Sequence, residues 1–165
     1  MILRLLNISL FTLFVAAISA SADPLIDPIK PGLTEEEVKE GSIGCFDCHT
    51  KTDAPSMHTN PAVQIGCAHC HGGDPKVRLP NNTTLHGPEY NHTKKLAHVS
   101  PRHPENWPTS ANPKRSYSNL LKESPEFVKF MNPGDLRVAP ETCGGCHAET
   151  VVAVKRSLMT TSAMF

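Results

Sequence analysis

The chain has 165 residues, with 16 basic and 16 acidic side chains and a formal net charge of zero. The sequence has no stripe of basic residues of the kind that indicates a nucleic-acid partner. Its 15 prolines leave few alternating apolar runs, so we predict a mainly α-helical protein with extensive loops and little or no β-structure.

The N-terminus reads as an export signal. A short positive segment, Met1–Arg4, precedes an apolar run over Leu5–Ile18 and a small-residue cleavage site at Ala20–Ala22. This run is shorter than the roughly 20 residues that a membrane span needs. We therefore predict a signal peptide over residues 1–22 and one mature domain over 23–165, periplasmic or extracellular and not membrane-spanning after cleavage.

The mature chain begins with a proline-rich segment, which we expect to be extended up to Leu33. Thr34 and Glu37 then form a capping-box pattern, with Thr34 as N-cap and Glu37 at the third helical position. We predict a short helix here that leads to the first cysteine.

All six cysteines lie in three copies of Cys-X-X-Cys-His. In this spacing two thiols can add to the vinyl groups of one haem, and the following imidazole can bind its iron. We predict three haem c groups, attached at Cys45, Cys48, Cys67, Cys70, Cys143 and Cys146, with His49, His71 and His147 as proximal ligands of iron.

Two other interpretations of the role of the cysteines stay open. A secreted chain can use six cysteines as a disulfide framework, and two Cys-X-X-Cys pairs can hold a structural zinc ion. Neither explains why a histidine follows every pair. Because the chain has few aromatic residues, we also expect the porphyrins to supply much of its core.

The long stretch from Asp74 to Pro140 carries ten prolines, and its good helical window begins only near Ser116. We predict one turn over Ser116–Lys122 and a helix that starts at the N-cap Ser124 and ends near Met131. A last helix is predicted from about Glu141. Residues at three- and four-residue steps would form one face of this helix, which we expect to rest on the third haem. They are Cys143, Cys146, His147, Val151, Val154 and Leu158.

The three remaining axial positions need further ligands. His58, His98 and His92 are the first candidates, followed by His86 and His103, while His69 lies inside its own motif and is a reserve. Methionine ligation, by Met159 or Met164, would raise the reduction potential. Histidines exceed the need, so we expect bis-histidine ligation.

The motifs and the phrases that link them resemble the multihaem c-type cytochromes. These segments are Gly44–His49, Ser56–His58, Gly66–Asp74, Ala97–Arg102, Asn132–Arg137 and Cys143–Thr161. The resemblance implies a small multihaem cytochrome c fold organised around its haems, with His58 as a distal ligand of a neighbouring haem. The phrases are also similar to the beginning of longer exported cytochromes, so the trihaem unit could be the N-terminal part of a longer protein.

The expected function is electron transfer between redox partner proteins, including other multihaem cytochromes. A first alternative is an oxidoreductase for nitrite, hydroxylamine or a sulfur oxyanion, with an open iron position. The third haem is the expected place for it, because residues 106–145 contain no histidine, and Arg137, Lys155 and Arg156 are candidate acid-base helpers. A second alternative is a haem-bearing module of a larger reductase or filament.

Overall fold

The structure is a computed structural model that describes residues 29–51, 58, 60–107 and 116–160. Within these ranges it consists of short helices, turns and loops, and it contains no strand. The prediction of a mainly helical protein with many loops is confirmed for this part of the chain. The predicted signal peptide, most of the extended lead-in, Met164 and the side chain of Met159 lie outside the described residues.

Eight α-helices occur in the described ranges. They are α1 Glu35–Glu40, α2 Cys45–Cys48, α3 Cys67–His71, α4 Pro88–Ala97, α5 Ser116–Leu120, α6 Pro125–Met131, α7 Ala139–Thr142 and α8 Gly144–Arg156. Single 3₁₀ turns cover Pro104–Asn106 and Leu158–Thr160. None of the helices in the described part of the chain has the length and apolar character required to cross a bilayer.

Both predicted N-caps are confirmed. The backbone N–H of Glu37 donates to Thr34 Oγ1 at 3.2 Å, and the N–H of Thr34 donates to Glu37 Oε2 at 2.7 Å, which completes the capping box of α1. Ser124 Oγ accepts from the N–H of Phe127 at 3.3 Å, and α6 ends at Met131 as expected.

Helix α4 was not predicted. The expectation that the first helical window after Asp74 lies near Ser116 is wrong, because α4 starts at Gly87 and Pro88, a glycine N-cap followed by proline at the first helical position. Its sequence is mostly polar and Thr93 is its buried residue. The end of the helix is joined to the segment that follows the second motif by a hydrogen bond, 2.8 Å long, from the N–H of Asp74 to the carbonyl of Ala97.

The predicted helix from Glu141 is also wrong in its continuity. The chain forms α7, then α8, and α8 is kinked at His147, where φ is −122° and ψ is 37°. Helix α8 ends at Arg156, so Leu158 falls in a 3₁₀ turn and is 70% exposed. Of the apolar residues on the predicted face, Val151 is buried and Val154 is exposed.

One small apolar cluster forms around α6. We call it the α6 core: Leu120, Phe127, Val128 and Val138, with Val99, Trp107, Phe130 and Met131 packed against it. Two buried carboxylates brace this region. Glu123 accepts from the backbone N–H groups of Arg102 and His103 and from Trp107 Nε1, and Asp135 forms an ion pair with Arg137 at 2.7 Å.

Candidate haem-binding sites

Each Cys-X-X-Cys-His motif forms about one turn of helix. In the first motif the N–H of His49 donates to the carbonyl of Cys45 at 2.8 Å, and in the third the N–H of His147 donates to the carbonyl of Cys143 at the same distance. Residues three and four positions apart share one helix face. The turn therefore presents both thiols of a motif on neighbouring positions, with the imidazole directly after them.

None of the six cysteines is joined to another by a disulfide. All six cysteines belong to the described residues, and each is a free thiol. In the described ranges, no group of three or more His, Cys, Asp or Glu side chains is placed to hold a metal ion by itself.

The first and second motifs are joined by direct contacts. Ser42 Oγ accepts from the N–H of Cys67 at 2.9 Å, and the carbonyl of Gly41 accepts from the N–H of Ala68 at 2.8 Å. Burial raises the pKa of the Cys45 thiol, and the neighbouring Cys67 thiol raises it further. The first thiols of these two motifs are therefore close neighbours.

The second motif also approaches the third. Burial raises the pKa of the Cys70 thiol, and the Cys143 thiol raises it further. The second motif thus has a thiol that interacts with each of the other motifs, Cys67 with Cys45 of the first and Cys70 with Cys143 of the third.

His98 lies beside the proximal histidine of the first motif. The ring centroids of His49 and His98 are 6.1 Å apart, with 33° between the ring planes. A metal–imidazole bond is about 2 Å long and the ring centre lies about 1 Å behind the nitrogen, so two imidazoles on opposite sides of one iron have centroids about 6 Å apart. The measured separation fits a haem iron between these rings.

His98 is also suited to metal binding in its charge state. Burial lowers its pKa, and the neighbouring His49 lowers it further. A lowered pKa favours the neutral imidazole, which is the form that binds a metal.

His58 lies beside the proximal histidine of the third motif. The ring centroids of His58 and His147 are 6.3 Å apart and the planes are inclined by only 3°. This separation again fits two axial ligands of one iron. The structure thus puts a histidine next to the third motif, which was the expected place of an open position under the oxidoreductase alternative.

His71, in the second motif, has a different environment. Its Nδ1 lies 2.9 Å from the carbonyl oxygen of Phe130, so an Nδ1–H donor would leave Nε2 free for iron. All nine histidines of the chain are among the described residues, and no other imidazole lies in ring contact with His71 there. The second motif is the one without a facing histidine.

The remaining histidines are held elsewhere or stand at the surface. His69 accepts from the N–H of Gly66 at 3.0 Å, so this reserve candidate closes the start of its own helix. His103 pairs with Glu105 at 3.4 Å, and His86 packs edge-on against Tyr90. His92 is exposed on α4, and within the described residues it contacts no other histidine ring.

The candidate acid-base helpers take structural or surface positions. Arg137 donates to both oxygens of Asp135 and to the carbonyl of Leu120, which fixes the chain before α7. Lys155 and Arg156 are exposed in the last turn of α8, where Arg156 borders a shallow open groove of about 390 Å³.

Some residues around the motifs could not be found from the sequence. Asp47 occupies a variable position of the first motif, yet it binds Arg78 Nε at 2.6 Å and accepts from the N–H of Leu79 at 3.0 Å. Arg78 lowers the pKa of this carboxyl through a hydrogen bond. Ser42 and Phe130 likewise act through long-range contacts, which no local pattern announces.

Comparison of the chain with protein-family models, with curated proteins and with solved structures gave no match.

Proposed function

We propose that this chain is an exported electron-transfer protein of the multihaem cytochrome c type, with three covalently attached haems. The observation that carries the proposal is the pairing of His49 with His98 and of His58 with His147, each at the separation of two ligands on one iron. The three motifs and their free thiols supply the means of attachment.

A bound haem would supply an iron that changes oxidation state by one electron. The protein's part is to keep the ligands fixed. Two imidazoles on each outer iron would hold it six-coordinate in both states, so that little rearranges on transfer. The hydrogen bond from Cys67 to Ser42 and the interaction of the Cys70 thiol with the Cys143 thiol favour a route from the first haem to the third through the haem of the second motif, the middle haem.

The haems would also complete the fold. Several apolar side chains near the motifs are exposed, among them Phe46 at 44%, Leu96 and Val154. Porphyrin rings attached at the neighbouring thiols would cover such residues and remove apolar surface from water. A small multihaem cytochrome c fold, with haems as much of its core, accounts for the short helices and long loops.

The predicted signal peptide places the protein in the periplasm or outside the cell, where haem attachment to such motifs would follow export. Its partners would then be redox proteins, including other multihaem cytochromes.

Voltammetry of the haem-loaded protein adsorbed on an electrode tests the proposal. We expect reversible one-electron waves that sum to three electrons per chain. Adding nitrite, hydroxylamine or tetrathionate should leave the waves unchanged. Fewer than three electrons, or the absence of reversible waves, would contradict an electron carrier with three haems.

A second candidate function is an oxidoreductase that acts at the middle haem. The observation that favours it is the environment of His71, which is anchored to Phe130 but has no imidazole opposite it in the described residues. In that case one of the three substrates would produce a catalytic current in the same voltammetry. Carbon monoxide would also bind to one haem of the reduced protein, identified as the middle one by its loss in a variant that carries Cys67→Ala and Cys70→Ala.

A further inference from the structure

We propose that Phe130 positions iron ligands of two different haems, with its ring against His98 of the first site and its carbonyl on His71 of the second. This inference rests on the proposed function, since it concerns the ligands of the proposed haems. It adds a residue that lies outside every motif and a physical link between two sites.

The contact with the first site is made by the side chain. The ring centroids of Phe130 and His98 are 4.9 Å apart and the planes are inclined by 49°. That distance lies within the range of favourable aromatic contacts. His98 is half-buried, and its ring contacts both the Phe130 ring and the His49 ring. The Phe130 ring therefore restricts the orientation of His98 toward the iron.

The contact with the second site is made by the backbone. Phe130 is near the end of α6, where carbonyl groups have no partner in the next turn of the helix. Its carbonyl oxygen lies 2.9 Å from His71 Nδ1. A hydrogen bond from Nδ1–H fixes the imidazole tautomer that offers Nε2 to a metal, and such outer partners set the orientation and basicity of a histidine ligand.

Helix α6 is well anchored for this role. Phe127 and Val128 are among the most buried residues of the described chain, and Ser124 caps the helix. Phe130 thus transmits the position of the α6 core to a ligand on each of two haems. The ring and the carbonyl can be separated experimentally, because a side-chain substitution removes the first and keeps the second.

The experiment compares cyanide binding to the ferric, haem-loaded protein in Phe130→Leu, Phe130→Tyr and Phe127→Leu, with low-spin signals followed by electron paramagnetic resonance. His98→Met identifies the signal of the first haem. Loss of an outer partner changes metal–ligand affinity by about 10-fold to 100-fold. We therefore expect cyanide to displace His98 from the first haem at about 10-fold lower concentration in Phe130→Leu.

The other variants supply the controls. Phe130→Tyr keeps an aromatic ring and should behave like the wild type. Phe127→Leu weakens the same helix, because it loses ring contact with Trp107, and should lower the melting temperature without changing cyanide binding. The second and third haems should respond to cyanide in Phe130→Leu as they do in the wild type.

Two results would overturn the proposal and leave the proposed function standing. One is wild-type cyanide binding in Phe130→Leu although His98→Met alters a haem signal. The other is an equal change in Phe127→Leu, which would assign the effect to general packing. If His98→Met alters no haem signal, the pairing of His98 with the first haem fails, and this inference fails with it.

Discussion

The region around α6 and the three motif helices are built in different ways. The α6 core contains Phe127 at 3% exposure and Val138 at 1%, and buried carboxylates tie its loops together. The motif helices α2 and α3 contain no buried residue, and α8 contains only Val151 among its described side chains. Side-chain packing therefore stabilises the region around α6. The motif helices are held by backbone hydrogen bonds and have few buried apolar side chains.

This difference indicates where stability comes from. Seven apolar residues are buried in the described chain, which is few for a domain of this length. The motif helices are each one to four turns long and too short to persist in isolation. In our account, the haems supply the apolar surface that the motif helices lack, while the α6 core is packed by the protein's own side chains.

The largest expected effect is the loss of all three haems. Expressed without haem attachment, the chain should be largely unfolded, because the α6 core is too small to offset the conformational entropy of the rest. Calorimetry and circular dichroism on the haem-free chain provide the check. A cooperative thermal transition would show that the packed region folds without haem, and it would contradict the claim that the chain depends on its haems for folding.

A smaller effect is expected from loss of a single distal ligand. His58→Ala should convert the third haem, and His98→Ala the first, from low spin to high spin, because each removes one of two imidazoles on an iron. Electron paramagnetic resonance of the ferric protein measures the low-spin count. His103→Ala is the matched control, since that histidine pairs with Glu105. An unchanged count in His58→Ala would refute its assignment.

Asp135→Asn should have a moderate effect on the stability of the α6 core and its loops. The Asp135 side chain is 4% exposed and hydrogen-bonded to Arg137, so the loss of this charged pairing should lower the free energy of unfolding by about 2 kcal/mol. Denaturant titration of the haem-loaded protein gives this value. The haem spectra should not change, and a loss of low-spin signal would show that the two regions are less separate than we infer.

The same carboxylate predicts a pH dependence. Arg137 lowers the pKa of Asp135 in the folded protein, so the unfolded chain holds that proton more tightly. The contribution is therefore present above the ordinary aspartate pKa of about 4 and is lost as the pH falls through the lowered folded value. Asp135→Asn should lack this component. Equal acid sensitivity of variant and wild type below about pH 4 would contradict it.

The smallest effects concern the helix caps. Ser124→Ala should cost about 1 kcal/mol, because α6 buries three of its residues and its unfolding exposes the α6 core. Thr34→Ala should cost less, because α1 buries none of its residues and can fray locally. Denaturant titration of both variants is the measurement, and a larger loss in Thr34→Ala would reverse the comparison.

Local chemistry made part of the fold predictable from the sequence. The caps at Thr34 and Ser124 were found because a side chain and a backbone group three residues apart form them. Helix α4 was missed because its sequence contains few apolar residues, and a hydrogen bond from the distant Asp74 holds its end. The kink at His147 was missed as well, since helical spacing does not reveal a backbone break.

The candidate sites were predictable to a similar limit. The motif residues follow from spacing alone, and His58 and His98 could be ranked as distal candidates. Which motif each of them approaches could not be derived, because their partners lie far away in the chain. The environment of His71, whose Nδ1 lies against the carbonyl oxygen of Phe130, emerged only from the structure.

The central claim is that the six cysteines attach three haems. Its most direct test is the intact mass of the chain after export in a host that attaches haem, together with a haem stain of the denatured protein. Our account predicts three haems per chain and no disulfide. A chain that carries no haem, with its cysteines oxidised in pairs or bound to zinc, would contradict it.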